Sequence, residues 1–131
     1  MTENNKSPNR ETYTIADNNA VGSVQIADEV VAIIAGLAAT DVEGVNSMAG
    51  NITNELVSKL GMKNLSKGVT VDIIDEVVSV TLSLNLEYGY AILEVSEKVQ
   101  DKVKKAIENM TGMTVSDVNI EIAGVNLENT K

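Results

Sequence analysis

The sequence predicts an α+β fold: a two-layer sandwich in which one mixed β-sheet carries helices packed on one face. Three observations predict it. Apolar residues recur in strict period two from Val78 to Tyr90, the apolar spacing turns helical between about Glu94 and Met110, and a last strand that alternates through Val118, Ile120 and Ile122 starts at Val115. A strand, a helix and a strand in that order make a right-handed crossover between parallel strands. One-sided alternation leaves a wet face opposite the helices.

The elements follow in chain order. Residues 1–20 carry Asn4, Asn5, Ser7, Pro8, Asn9, Arg10, Glu11, Asn18 and Asn19. So polar a segment offers little apolar surface to offset ordering entropy, so it reads as a disordered arm with Tyr13 and Ile15 as a short sticky spot. Residues 21–131 read as a single domain. Ser23 to Ile26 alternates briefly, as a short strand would. A helix is expected from about Asp28 to Ala39. Its acidic first turn suits the helix dipole, and the remainder is apolar nearly all round, which requires burial or cover by another subunit. Asp41 to Gly50 reads as a turn with a weak strand over Val45–Met48, which could join the first strand and helix in a second crossover unit.

Ile52, Leu56, Val57 and Leu60 sit at helical spacing and Gly61 can end that helix, leaving Met62 to Gly68 as a basic connector. Val69 to Ile74 and the long strand from Val77 are separated by Asp75-Glu76, a two-residue turn without the Gly or Asn such turns prefer. In the Glu94–Met110 helix, Val95, Val99, Val103, Ala106, Ile107 and Met110 form the apolar stripe. Glu94–Lys98 and Asp101–Lys105 are favourable i,i+4 pairs, and Gly112 is placed to end the helix. The last strand alternates through Val118, Ile120 and Ile122, then slips at Gly124-Val125, which predicts a bulge.

Composition narrows the function. The 131 residues contain no His, Cys, Trp or Phe, and Tyr13, Tyr88 and Tyr90 are the only aromatics. The core must therefore be aliphatic. The usual base near neutral pH, the thiol nucleophile, disulfides and common zinc ligand sets are all missing from the inventory. Nineteen acidic and ten basic residues give a net charge of −9, a field that repels nucleic acid and anionic head groups. The N-terminus shows no secretory pattern, and the longest run without a polar side chain, Val30–Ala39, is about half the ~20 residues of a spanning helix. A cytoplasmic protein without direct membrane insertion is the expectation.

No constellation argues for catalysis. Asp28/Glu29 lie at a helix start and Asp75/Glu76 in a turn, where capping and solvation explain them. Asp41-Val42-Glu43-Gly44 lacks the rest of a calcium loop. The run Gly61 to Gly68 has glycine, lysine and serine but not the order of a phosphate loop. Its lysines, with Lys59, leave Lys59, Lys63 and Lys67 as a basic patch on an acidic protein. The patch is either a solvated connector or a contact for an acidic partner. Catalytic, cofactor and metal residues are expected to be absent.

The ordered motifs Val24-Gln25-Ile26-Ala27-Asp28-Glu29-Val30, Asp41-Val42-Glu43-Gly44-Val45, Lys67-Gly68-Val69, Glu87-Tyr88-Gly89, Asn109-Met110-Thr111-Gly112, Val118-Asn119-Ile120 and Gly124-Val125 carry a resemblance. Over residues 24 to 127 the chain resembles the alkaline-shock / general-stress protein family of Gram-positive bacteria. The resemblance implies a small cytoplasmic protein of the envelope stress response with no known catalytic activity and no cofactor. It also implies self-association into a homo-oligomer and membrane localisation through a separate small membrane-anchor protein. Ala49-Gly50-Asn51, Lys63-Asn64 and Gly124-Val125-Asn126-Leu127-Glu128 look like the branch often encoded near acetyl-CoA carboxylase subunits, which implies a role in balancing fatty-acid synthesis. Two readings follow: a scaffold docked on a membrane anchor, or a regulator that binds a soluble lipid-synthesis enzyme. Asp75-Glu76 departs from the family pattern where a glycine is expected.

Overall fold

A computed structural model describes residues 12–18, 21–48 and 67–127. In chain order these form β1 (Thr12–Asn18), β2 (Gly22–Ala27), α1 (Asp28–Thr40), β3 (Val45–Met48), β4 (Val69–Ile74), β5 (Val77–Glu87), α2 (Ile92–Thr111) and β6 (Thr114–Asn126). The α+β sandwich expected from the pattern is what forms. The helix expected over Ile52–Leu60 and most of the basic connector lie outside the described residues.

The alternation of β5 sets the architecture. Val78, Val80, Leu82, Leu84 and Leu86 face one side and are no more than 1% exposed, while Ser79, Thr81, Ser83 and Asn85 face the other. β6 runs parallel to β5 along its whole length, from Val77↔Thr114 to Glu87↔Asn126. On the opposite edge β4 pairs antiparallel with Val77–Leu82, and β3 pairs antiparallel with Leu84–Leu86. β3 and β4 thus lie end to end beside β5 in a four-stranded mixed sheet.

Both helices cover the buried row of β5. In α1, Val31, Ala35 and Ala39 are fully buried, and Gly36 is buried with them. In α2, Val95, Val99, Val103 and Ile107 form the expected stripe. Met110, read as part of that stripe, is 68% exposed, and Thr111 takes the buried place one residue on. Its hydroxyl donates to the Ile107 carbonyl at 2.7 Å and accepts the Met113 N–H at 3.0 Å, so burial leaves no bond unmade. Gly112 then ends the helix in the left-handed conformation with φ +80°.

Two expectations are corrected. Within the arm read over residues 1–20, the described stretch Thr12–Asn18 is a strand, paired antiparallel with β2, and the rest of the arm lies outside the described residues. Its β-branched and aromatic residues favour extended backbone, and Tyr13, Ile15 and Ile26 pack against the main core. An averaged polar composition hid that local pattern. The second correction concerns β2, α1 and β3, which do not form a parallel crossover unit. β2 belongs to a separate two-stranded sheet, and β3 enters the main sheet antiparallel to β5.

Turns and bulges follow the expected positions more closely. Asp75 and Glu76 join β4 to β5 with φ +54° and +68°, a left-handed pair flanked by Ile74↔Val77. The predicted slip near the end of β6 is present: Ile122 pairs Leu84 and Gly124 pairs Asn85, which leaves Ala123 extra. A further bulge falls at Ser116, between the pairs Val115↔Val78 and Asp117↔Ser79. At the far end, β5 stops at Glu87 although the alternation runs to Tyr90, because Gly89 turns the chain with φ +103°.

Leu84→Ala should cost about 2–5 kcal/mol, since the side chain is fully buried in the middle of the sheet. Ser83→Ala, one residue away on the wet face, should cost no more than about 1 kcal/mol. Equal losses in urea melts would contradict the two-faced sheet. Glu76→Gly should raise stability by about 1 kcal/mol, because the left-handed penalty on a side-chain-bearing residue exceeds the entropy cost of glycine. A lower denaturation midpoint for this variant would show that Glu76 is held there by contacts worth more than the strain.

Candidate functional site

Three surfaces present chemistry. The first is the outer face of the sheet, where parallel pairing carries two polar rows past each other at constant register. Ser79 Oγ donates to Asp117 Oδ2 at 2.8 Å, and Ser83 Oγ donates to Glu121 Oε1 at 2.7 Å, each partner 38 residues away in sequence. Asn119 Nδ2 donates to Asp117 Oδ2 at 2.7 Å, and Ser116 Oγ donates to Asp117 Oδ1 at 2.5 Å. Hydrogen bonds from Ser116, Ser79 and Asn119 hold the Asp117 carboxyl below the usual carboxylate range. Asn85 Nδ2 extends the polar net across β5 to Ser47 Oγ at 3.2 Å.

The second surface is a groove of about 800 Å³ between the turn after α1 and the solvent face of α2. Lys102 Nζ lies 2.8 Å from Asp41 Oδ2 across that gap. The Lys102 hydrogen bond and charge hold the Asp41 carboxyl below its ordinary range. Tyr90 Oη donates to Glu43 Oε2 at 3.1 Å, and this bond together with the Glu43 charge raises the Tyr90 phenol above its ordinary value. Tyr90 lies over Gly44, where a Cβ would come within 2.9 Å of both the Tyr90 ring and Val95, and where φ is +101°. Along α2 the expected pairs form, Glu94–Lys98 at 3.9 Å and Asp101–Lys105 at 3.1 Å. Asp41, Glu94 and Asp101 of the groove are thus each paired with a lysine, while Glu43 is held by Tyr90.

The third surface is the open side of β6. β6 pairs only with β5 among the described strands. Two side chains of α2 reach its backbone near the start: Glu108 Oε2 accepts the Val115 N–H at 3.0 Å, and Gln100 Nε2 donates to the Val118 carbonyl at 3.0 Å.

Of the predicted partner-contact residues, Lys67 is exposed in the turn that leads into β4. Lys59 and Lys63 lie outside the described residues. No group of three or more Asp or Glu among the described residues is placed to hold a metal ion. Residue reading missed the Asp41–Lys102 and Tyr90–Glu43 pairs, which join elements distant in sequence. It could have found the polar ladder, because Ser79, Thr81 and Ser83 share their two-residue period with Asp117, Asn119 and Glu121.

The profile of the alkaline-shock family, described as having a cell envelope-related function, matches residues 16–127. The Bacillus subtilis protein YqhY is 34% identical over 112 residues, covering 86% of this chain and 83% of that one. A second Bacillus subtilis protein, YloU, is 36% identical over 110 residues, covering 82% of this chain and 92% of its own. A Streptococcus pyogenes protein named a stress response regulator gls24 homolog is 26% identical over 105 residues, covering 79% of this chain and 59% of its length.

The Asp41–Lys102 pair makes a pH prediction. A lowered carboxyl pKa stabilises the fold above the unfolded value and loses that contribution as pH falls through the folded value. Lys102→Gln should therefore lower stability slightly at neutral pH, and the gap from wild type should close below about pH 4. Chemical melts at neutral and acid pH check this; a gap that stays constant would assign the loss to packing of the lysine stem.

Proposed function

Because this chain belongs to the alkaline-shock family, whose function is related to the cell envelope, we propose that it is a non-enzymatic protein of the envelope stress response. It acts in the cytoplasm as a self-associating scaffold that docks on a membrane-anchor partner. The family match over residues 16–127 carries this reading, and the stress-regulator name of a more distant relative supports it.

The chemistry of the surfaces supports it as well. In the groove, side chains that could work as acids or bases are engaged with one another in the pairs Asp41–Lys102 and Tyr90–Glu43. What the fold holds in readiness is shape: a polar sheet face, a strand with an open side, and exposed aliphatic side chains such as Leu93 and Leu127. No helix among the described residues is long and apolar enough to cross a membrane. In this reading the contact with the membrane runs through the partner, and the lysines at positions 59, 63 and 67 contribute an attraction for acidic groups on it.

Affinity capture after crosslinking in intact cells tests the proposal. Copies of the chain together with a small membrane protein are the expected catch. Capture of a soluble lipid-synthesis enzyme with no membrane protein would replace the scaffold by the regulator of fatty-acid synthesis. The combined variant Lys59→Gln, Lys63→Gln, Lys67→Gln should fold as wild type and capture less partner, with the larger deficit at low salt. The same catch at the same yield would return these lysines to a solvated connector.

A further inference from the structure

The open side of β6 is patterned for a mate. Between its bulges at Ser116 and Ala123, residues Asp117–Ile122 pair one to one with Ser79–Leu84 of β5, so this stretch is regular β-strand. Its backbone polar groups need partners, and an uncovered regular edge is a template for another strand. Edges are commonly blunted by Lys, by Pro or by charges that point inward. Residues 118–123 contain no Lys, Arg or Pro, and their one charge, Glu121, points to the wet face.

The order of residues is also self-complementary. Antiparallel pairing about a twofold axis at Ile120 places Ile120 beside Ile120, Val118 beside Ile122, and Asn119 beside Glu121. Apolar residues of the inner row then meet apolar residues, and each Glu121 carboxylate faces an Asn119 amide. Asp117 falls opposite Ala123, so no like charges confront each other across the seam. Shifting the axis to Glu121 would set two carboxylates side by side. Ile120 and Ile122 are partly buried against the core of their own chain and would gain cover from the mate's inner row.

We propose that β6 joins the β6 of a second copy through residues 118–122, antiparallel about Ile120, to make one sheet continuous across two chains. This deepens the self-association part of the function proposed above and rests on it. Gln100 is the internal competitor. Its amide holds the Val118 carbonyl from α2, which marks that residue's backbone groups as facing away from β5, and the strand period gives Ile120 and Ile122 the same aspect. Pairing with a second strand displaces Gln100. Two chains of charge −9 also repel, so salt should favour the pair.

The chain has no cysteine of its own, which makes register readable by disulfide trapping. Full-length Asn119→Cys and Glu121→Cys proteins are mixed and oxidised mildly. Both positions are exposed on the polar face, so the fold should tolerate them. The mixed disulfide should exceed either homodisulfide several-fold, and Gln100→Ala should increase its yield. The statistical mixture, in which the mixed disulfide is only about twice either homodisulfide, or no disulfide at all, would overturn the pairing. Light scattering on the wild-type chain separates the two levels of failure. A chain that stays monomeric at raised salt sinks self-association and this interface together. An oligomer without the selective disulfide sinks only the interface.

Discussion

Everything described depends on burying one row of β5. Val78, Val80, Leu82, Leu84 and Leu86 are the inner side of the strand that, among the described residues, touches all the others of the main sheet. Their burial fixes which residues of β3, β4 and β6 face inward, because pairing register transmits the two-residue period from strand to strand. A slip of one position would turn five aliphatic side chains to water and present Ser79, Thr81 and Ser83 to the helices. At roughly 1.5–3 kcal/mol for each large apolar side chain, no surface interaction could offset such a slip.

An aliphatic core shapes the layer above it. Without Phe or Trp to fill space, helices must come close to the sheet for packing to reach native density. α1 meets that demand with Ala35, Ala39 and Gly36, whose small side chains let its backbone approach. α2 meets it with valines spaced at Val95, Val99 and Val103. The two helices therefore differ in kind. α1 is submerged on most sides, whereas α2 keeps a charged face laced with lysine–carboxylate pairs.

The same constraint explains where function can reside in an envelope-stress protein of this size. Inner residues are committed to packing, so partner recognition is left to the polar face of the sheet, the helix surface and the side of β6 turned from β5. On the polar face, the Ser79–Asp117 and Ser83–Glu121 bonds hold acidic groups in an ordered row. Bulges at Ser116 and Ala123 frame the regular part of β6, giving its edge a defined length and centre.

Much of this was legible in the sequence. The period of two in β5 and β6, the helical stripe of α2, the left-handed Gly112 and the bulge beside Gly124 are local patterns, set by side-chain alternation and by which residues accept positive φ. The family, too, could be read from motifs in order. Other features were decided by packing between distant segments. The polar composition of residues 1–20 concealed the strand at Thr12–Asn18, whose place depends on Tyr13 and Ile15 finding a core to rest on. Nothing local directs β2 into its own hairpin or turns β3 antiparallel to β5, because the edges of a sheet are chosen by what else competes for them. The Asp41–Lys102 and Tyr90–Glu43 pairs depend on chain segments that only the closed fold brings within hydrogen-bonding distance. Periodicity thus determined which face of each element is apolar, while the tertiary structure alone decided which faces and edges meet, because that choice minimises exposed apolar area over the whole chain at once.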